Sequence, residues 1–537
     1  MPILTVITEN KTQLIPFESG TSVRQILEKE GIWIRSGCRG NGACGLCRVK
    51  VEEGTINSPG SIEIIVLTAQ DLKHNIRLAC QLLPENDLRI RSLNEVSKNQ
   101  WLDLSPDYLI CTPSSLDDIS KDDPVPKVLY GLAIDLGTTN VCLSVWDLNQ
   151  GKRLVARTGL NPQFQYGSDV VTRLIAAAES VDIARNIARL PLNALREALL
   201  DLCLRYHLST EDIVDIDIVG NTAMMVLLTE TDPGPLLQPV NWTNRIDCQP
   251  VNYRAWVNLL EVRPEANIEI ISSLAGFVGS DLLAGVIATG MMEHPGNLLI
   301  DFGTNSEMAL WDGTTLWVTS AAGGPAFEGC GIKCGMPAEP GAIYHVTERP
   351  GFKEPLFQVI GGGEPRGFCG SGLVDFIAFL RRSGNLTPTG KFTNGCSAEG
   401  PEVPNFKPDL RLSKSDVDMF QRAKGAIGVG VMTLLSRAGI GMQELNRVYI
   451  SGAFGLHLNI DNAQYIGLLP EISAQRFKLC GNTALAGAEQ LLLLPEKQIE
   501  LDYIRQTASI INLSNIPDFE TAFLKNLYLQ PQKAESL

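Results

Sequence analysis

Three cysteines near the start of the chain, Cys38, Cys44 and Cys47, follow the spacing C-x5-C-x2-C, and a fourth, Cys80, stands in Arg77-Leu78-Ala79-Cys80-Gln81. Four thiolates can enclose a metal centre if the chain between them bends sharply and turns its N–H groups toward sulfur. The intervening residues, Arg39-Gly40-Asn41-Gly42-Ala43 and Gly45-Leu46, permit both. A zinc ion and an iron–sulfur cluster each accept such a set. Zinc sites usually pair two C-x2-C knuckles, and here Cys80 stands alone, which favours iron–sulfur.

A second chemistry lies further on. Asp135-Leu136-Gly137-Thr138-Thr139-Asn140 joins two apolar runs as a strand–turn–strand. Gly137 lets backbone approach a phosphate. The N–H and hydroxyl groups of Thr138, Thr139 and Asn140 can donate to its oxygens, and Asp135 can hold Mg²⁺ through water. The pattern returns at Asp301-Phe302-Gly303-Thr304-Asn305. One such turn is usually only a hairpin. Two in register, each with a carboxylate, can clamp a Mg²⁺–triphosphate, with Asp135 and Asp301 organising the metal and the attacking water. Gly303, Thr304 and Asn305 face the phosphates from the other side. No G-x-x-x-x-G-K-[ST] segment occurs, which excludes a P-loop enzyme.

These groups need elements to position them. Residues 1–92 read as one unit, with strand pairs at 3–7 with 12–17 and 47–52 with 88–90, and a short helix over 23–30. Residues 93–127 are broken by prolines and aspartates and read as a linker, either a flexible tether or a belt packed on the next domain. From Val128 apolar strands alternate with amphipathic helices, so the rest is α/β. The echo of the Asp135 and Asp301 turns is matched by a second, Val219-Gly220-Asn221-Thr222-Ala223 against Cys480-Gly481-Asn482-Thr483-Ala484. Each echo occurs once early and once late, which predicts two similarly folded lobes, 128–292 and 293–537.

Composition narrows the function. The formal net charge is −15 over 537 residues, which argues against a nucleic-acid partner. The 13 cysteines, an odd number, lie behind an N-terminus without the marks of a signal peptide, and read as reduced thiols or metal ligands in a cytoplasmic chain. The most apolar stretch, 273–292, carries Asp281 in its middle and reads as a buried helix rather than a membrane span.

The first 92 residues resemble a 2Fe–2S ferredoxin of β-grasp type, with the five-residue spacing of the adrenodoxin-like branch. The paired turns resemble those of the superfamily of actin, sugar and acetate kinases and the large heat-shock chaperones. A third element of that superfamily, a small-residue turn beside adenosine, is matched by Val448-Tyr449-Ile450-Ser451-Gly452-Ala453-Phe454-Gly455, which places base and ribose near Gly452 and Ala453.

The order of ferredoxin domain, linker and two-lobed actin-like ATPase is similar to the reductive activators of corrinoid enzymes. The resemblance extends through Gly220-Asn221-Thr222-Ala223-Met224-Met225 and Gly324-Pro325-Ala326-Phe327-Glu328-Gly329. It implies ATP-dependent reduction of cobalt(II) to cobalt(I) in a corrinoid protein of a methyltransferase system. It also implies an upstream low-potential electron donor and a homodimer formed through the ATPase lobes. A plant-type cluster works near about −400 mV, and each further 100 mV uphill costs about 2.3 kcal/mol per electron. The resemblance implies a cobalt couple lower still, so ATP would have to act by changing the acceptor, through lobe closure.

Other readings remain open at this point: a redox-controlled small-molecule kinase, an activator of a radical dehydratase, and a redox-sensing binding protein switched by nucleotide. Cys330 and Cys334 read as buried thiols. The five histidines are scattered without ligand spacing.

Overall fold

The structure is a computed structural model of the 537-residue chain. It describes residues 1–8, 11–34, 38, 40–42, 45, 47–67, 69–93, 101–104, 128–167, 169–250, 252–303, 305–321, 323, 327, 332–349, 351, 354–393, 411–494 and 496–532.

Strand β1 (Ile3–Ile7) pairs antiparallel with β2 (Thr12–Pro16). Ser22 and Gln25 then form a reciprocal capping box that starts the helix Val23–Lys29. Its apolar positions Val23, Ile26 and Leu27 share one core with Leu4, Val6, Val49, Leu78 and Ile90. Strands β3 (Arg48–Gly54), β4 (Ile76–Leu78) and β5 (Leu88–Ser92) complete a sheet of order β2-β1-β5-β3-β4, with β1 parallel to β5. A helix clasped by a five-stranded mixed sheet is the β-grasp arrangement expected for the N-terminal unit.

Beyond it, β6 (Leu102–Asp103) belongs to the next sheet. That sheet holds β7 (Tyr130–Leu136), β8 (Asn140–Asp147), β9 (Lys152–Leu160), β10 (Ile213–Gly220) and β11 (Asn267–Ile270), in the order β11-β10-β7-β8-β9-β6. The second lobe opens with β12 (Asn297–Phe302), β13 (Ser306–Trp311) and β14 (Leu316–Ala321). A separate small sheet of β15 (Ala342–Thr347), β16 (Leu356–Val359) and β17 (Gly367–Phe368) follows. Strands β18 (Arg447–Ser451), β19 (Phe477–Gly481) and β20 (Ala508–Ile511) close the main sheet in the order β19-β18-β12-β13-β14-β20. Five strands of each lobe correspond one to one, so the duplication heard in the sequence is a duplication of fold. The central strands β7 and β12 are almost wholly buried, which is why both are unbroken apolar runs.

The two lobes meet through one helix from each, Ser280–Thr289 and Thr483–Leu493. Gly487 lies so close to the other helix that a Cβ there would sit 2.0 Å from the Ala284 carbonyl oxygen. The crossing is continuous with a core that joins Ala133, Trp146 and Val219 of the first lobe to Leu299, Tyr449 and Leu485 of the second. Two ion pairs bridge the same boundary: Arg153 to the buried Glu489 at 2.6 Å, and Lys497 to the buried Asp217 at 2.7 Å. The apolar stretch around Asp281 is this buried crossing helix, and among the described residues no helix is long and apolar enough to cross a membrane.

The described part of the linker is not free. Leu102 and Asp103 pair antiparallel with Thr158 and Arg157 of β9. Arg157 holds the Asp103 carboxylate at 2.9 Å and donates to the Trp101 carbonyl at 3.1 Å. The belt reading therefore describes residues 101–104.

Candidate cluster loop and nucleotide cleft

Cys80 is placed by a buried ion pair. Glu63, on the helix Ser61–Val66, takes the Arg77 guanidinium at 2.5 Å and also accepts from the Leu78 N–H at 2.9 Å. The Ala79 N–H donates to the Cys47 carbonyl at 2.7 Å, and the Gln81 amide to the Gly40 carbonyl at 3.0 Å. These bonds bring the separate Cys80 segment against the loop of Cys38 and Cys47. Cys44 lies outside the described residues.

The Cys47 and Cys80 sulfurs are 3.4 Å apart. That is far longer than a disulfide, about 2.05 Å, and near the separation of about 3.8 Å for two thiolates on one tetrahedral metal. The Cys80 thiol is lowered to about 7, chiefly by the hydrogen bond from Cys47. Gly42 has φ +81°, and a Cβ there would meet Ile62 at 2.5 Å, so the loop's tight course excludes other residues at that point. Arg24 is buried with Nη1 unpartnered among the described residues, 3.2 Å from where a Gly40 Cβ would stand. An orphan N–H, close thiols and a glycine-lined loop fit an anionic metal–sulfur centre.

The nucleotide turns sit at the ends of β7 and β12, where the lobes face each other. Asp135, next to last in β7, accepts from the Asn482 amide at 2.9 Å. Burial raises its carboxyl to about 7, the Asn482 bond opposes the rise, and Asp301 across the cleft adds to it. Two more acids share this space. Asp281, in the first turn of the helix Ser280–Thr289, is raised to about 8 by burial and by Asp301 and Asp135. Glu307, on β13, is raised well above its ordinary value by burial, then by Asp281 and Asp301. Asn221 donates to Glu307 at 3.1 Å, and the Gly279 N–H at 3.4 Å. Four carboxyls facing one another raise each other's affinity for protons, which a bound cation would relieve.

Gly137 makes the first turn, and Thr138 beside it is buried. Asn140 opens β8 at the exposed side. Asn161 reaches into the same turn: its side chain donates to the Gly137 carbonyl at 2.8 Å and its N–H to the Thr139 carbonyl at 2.8 Å. In the second turn Gly303 and Asn305 are described and Thr304 is outside the described residues. Asn305 Nδ2 and Ser451 Oγ are buried without a partner among the described residues, polar atoms that a ligand in the cleft could satisfy. Gly452, with φ +91°, lies against this second turn. A Cβ there would be 2.3 Å from the Phe302 carbonyl and 3.2 Å from Asp301 Oδ1. Ala453 follows in the short 3-10 helix Ala453–His457.

Asp281 and Glu307 were not singled out by spacing. In the sequence Asp281 is one polar residue within an apolar helix, and nothing there singles out Glu307. Asn221 and Asn482 were legible as an echo, and the structure shows what the echo does. Each caps the helix after its strand, accepting from Ala223 N–H and Leu485 N–H respectively, and each reaches an acid of the opposite lobe. Cys334 is buried and its thiol pushed well up by burial, as befits a core thiol, whereas Cys330 lies outside the described residues.

Comparison with known proteins agrees with this construction. Residues 6–85 match the 2Fe-2S iron-sulfur cluster binding domain, 130–294 the RACo middle region, and 296–537 the C-terminal domain of RACo, the ASKHA domain. Fold and matches together define an iron–sulfur domain joined to an actin-like ATPase. The chain belongs to the RACo family of corrinoid activators. It is 31% identical over 441 residues to the corrinoid activation enzyme RamQ of Eubacterium limosum, covering 78% of this chain and 73% of that one. It is 27% identical over 430 residues to a [Co(II) methylated amine-specific corrinoid protein] reductase of Methanosarcina barkeri, covering 75% and 76%. Among solved structures, a reductive activator for corrinoid, iron-sulfur protein superposes with a TM-score of 0.65 at 26% identity, over 99% of each chain.

Proposed function

We propose that this protein uses ATP to drive one-electron reduction of cobalt(II) to cobalt(I) in a corrinoid protein of a methyltransferase system. The observation that carries the reading is the union, in one chain, of a thiol loop closed by Cys80 and a two-lobed cleft whose acids face each other. A 2Fe–2S centre bound by Cys38, Cys44, Cys47 and Cys80 supplies one-electron storage at low potential. Arg24 offers its unpartnered N–H to that centre, and the Glu63–Arg77 pair keeps Cys80 in place.

In the cleft, Asp135 and Asp301, joined by Asp281 and Glu307, would hold Mg²⁺, whose charge would relieve the repulsion among these carboxylates. The turn of Gly137, Thr138, Thr139 and Asn140 and the turn of Gly303, Thr304 and Asn305 bind phosphates. Gly452 and Ala453 border the nucleotide beside Asp301. Asn482 and Asn221 link each lobe's acids to the other lobe, so a nucleotide that draws the turns together favours the closed state. The corrinoid partner that prefers that state would be gripped by it.

Four functional units follow: 1–92 as electron carrier, 93–127 as connection, 128–292 and 293–537 as lobes. Cys142, Cys203, Cys248, Cys334 and Cys369 are free thiols, which supports a reducing cytoplasm. An upstream low-potential donor of one electron is required by balance. Association of two copies through the lobes rests on the family resemblance and is read by light scattering of the holoprotein.

The test is anaerobic spectroscopy of a cobalt(II) corrinoid protein mixed with reduced protein, with and without Mg²⁺–ATP. ATP-dependent cobalt(I), lost on Cys44→Ser or Asp301→Ala, is the expected result. Cobalt that stays oxidised with several corrinoid partners, while ATP turnover ignores them, would overturn the assignment.

A further inference from the structure

The N-terminal domain touches the first lobe at an aromatic contact. Trp33 meets Phe164 edge to face, with ring centroids 6.2 Å apart and planes at 88°. Both side chains are half-buried. Trp33 precedes the buried Ile34 on the approach to Cys38, so the contact is made by the segment that leads into the cysteine loop.

Phe164 belongs to the short 3-10 helix Pro162–Tyr166, capped by Asn161. Asn161 is the residue that holds the nucleotide turn, through the Gly137 and Thr139 carbonyls at 2.8 Å each. Its side-chain oxygen accepts from the Gln163 N–H at 3.0 Å, and its carbonyl from the Phe164 N–H at 3.1 Å. Asn161 is wholly buried. The turn at Gly137 and the ring of Phe164 are therefore two ends of one short hydrogen-bonded unit.

The connection between the domains ends at the same place. Strand β6 is fixed on Arg157 and Thr158 of β9, and β9 runs directly into Asn161. On the other side, the Leu93 N–H is bonded to Arg48 of the N-terminal sheet. Only residues 94–100 separate these anchors, and eight Cα steps span at most about 28 Å. So short a tether keeps Trp33 at high effective concentration beside Phe164.

We propose that the Trp33–Phe164 contact is the resting dock of the iron–sulfur domain on the first lobe, and that Asn161 couples this dock to the nucleotide turn. Docking steadies the Asn161–Tyr166 segment, which steadies the Gly137–Thr139 backbone, so the docked state binds nucleotide more tightly. By reciprocity, bound nucleotide favours the docked state by the same factor. The inference rests on the reading of that turn as a phosphate site.

The test is calorimetric titration of the cluster-loaded full chain with a non-hydrolysable ATP analogue and Mg²⁺. Wild type is compared with Trp33→Ala, Phe164→Ala and the double variant, with the visible spectrum of the cluster confirming that each N-terminal domain is intact. Trp33 lies in the other domain, so a change in Kd on Trp33→Ala must travel through the contact. We expect Kd to rise about fivefold in each single variant, the low end of typical couplings, and no further in the double. An unchanged Kd in Trp33→Ala, or additive effects in the double, would overturn the dock. Failure of wild type to bind the analogue at all would instead overturn the phosphate reading.

Discussion

The two lobes share five strands and a closing helix, yet they finish their sheets differently. In the first, the sixth strand is Leu102–Asp103, antiparallel to its neighbour and supplied by the connection to the N-terminal domain. In the second, it is Ala508–Ile511, parallel to its neighbour and supplied by the chain after the crossing helix. The repeated part builds the cleft, and the unrepeated edge strands decide what is attached to each lobe. The cleft itself is not symmetric either. Asp135, near the end of the first lobe's central strand, receives Asn482, whereas Asn221 reaches Glu307 on the second lobe's neighbouring strand β13.

The largest test of this comparison is the crossing that both lobes share. Gly487→Val would force a side chain into the Ala284 backbone, which cannot yield as a flexible side chain would. We expect a loss of about 3 kcal/mol or more in denaturant unfolding, or no folded second lobe. A loss below about 1 kcal/mol would mean that the helices do not meet as described.

The acids come next. Asp301→Ala and Asp135→Ala should each reduce ATP turnover at least about 100-fold, equivalent to about 2.7 kcal/mol. Asp301 perturbs Asp135, Asp281 and Glu307 together, so its replacement should also release the other three toward ordinary carboxyl values, as Asp135→Ala should not to the same extent. Carbon-13 titration of the side chains would separate the two.

Asn482→Ala and Asn221→Ala measure the reciprocal bridges. Each leaves a buried carboxyl short of a donor and should cost about 1–3 kcal/mol of stability. Asn482→Ala should also push the Asp135 carboxyl further up, since that bond is the group that holds it down.

The clustered acids give a pH signature. Asp135 at about 7 and Asp281 at about 8 in the folded chain lie above the ordinary value of 3.8. Between pH 4 and 8 the folded state therefore holds more protons than the unfolded one, and stability falls as pH rises. In chelator the Tm should decline across that window, and Mg²⁺ with nucleotide should restore it most at the alkaline end. A Tm that rises from pH 5 to 8 without metal would contradict the cluster.

The smallest effect belongs to the edge. Asp103→Asn removes an ion pair whose acid is mostly exposed, so it should cost less than about 1 kcal/mol. A larger loss would show that β6 is integral to the first lobe rather than laid on it.

Much of this was legible in the sequence because it is local. The strands at 3–7, 12–17 and 88–90, the helix from Val23, and the strand–turn–strand at Asp135 all follow from alternation, capping and turn residues. The duplication was audible because the same turns recur. Asp281 and Glu307 were not, since a carboxyl's partners across a cleft leave no mark on its neighbours in the chain. The anchoring of Trp101–Leu104 was hidden for the same reason: Trp101 packs over Gly159, more than fifty residues away.

The exchange of helices between lobes also sets an order of assembly. The helix Thr483–Leu493 packs on β7, β8 and β10, so the first lobe is covered by a segment that leaves the ribosome long after its own strands. Some 270 residues separate Gly220 from Leu493, which at about 5–20 residues per second is a delay of about 14–55 s. For that interval the face formed by Ala133, Trp146 and Val219 lacks the helix Thr483–Leu493 that completes its core, and the nascent chain presents an apolar surface suited to a chaperone before the enzyme exists.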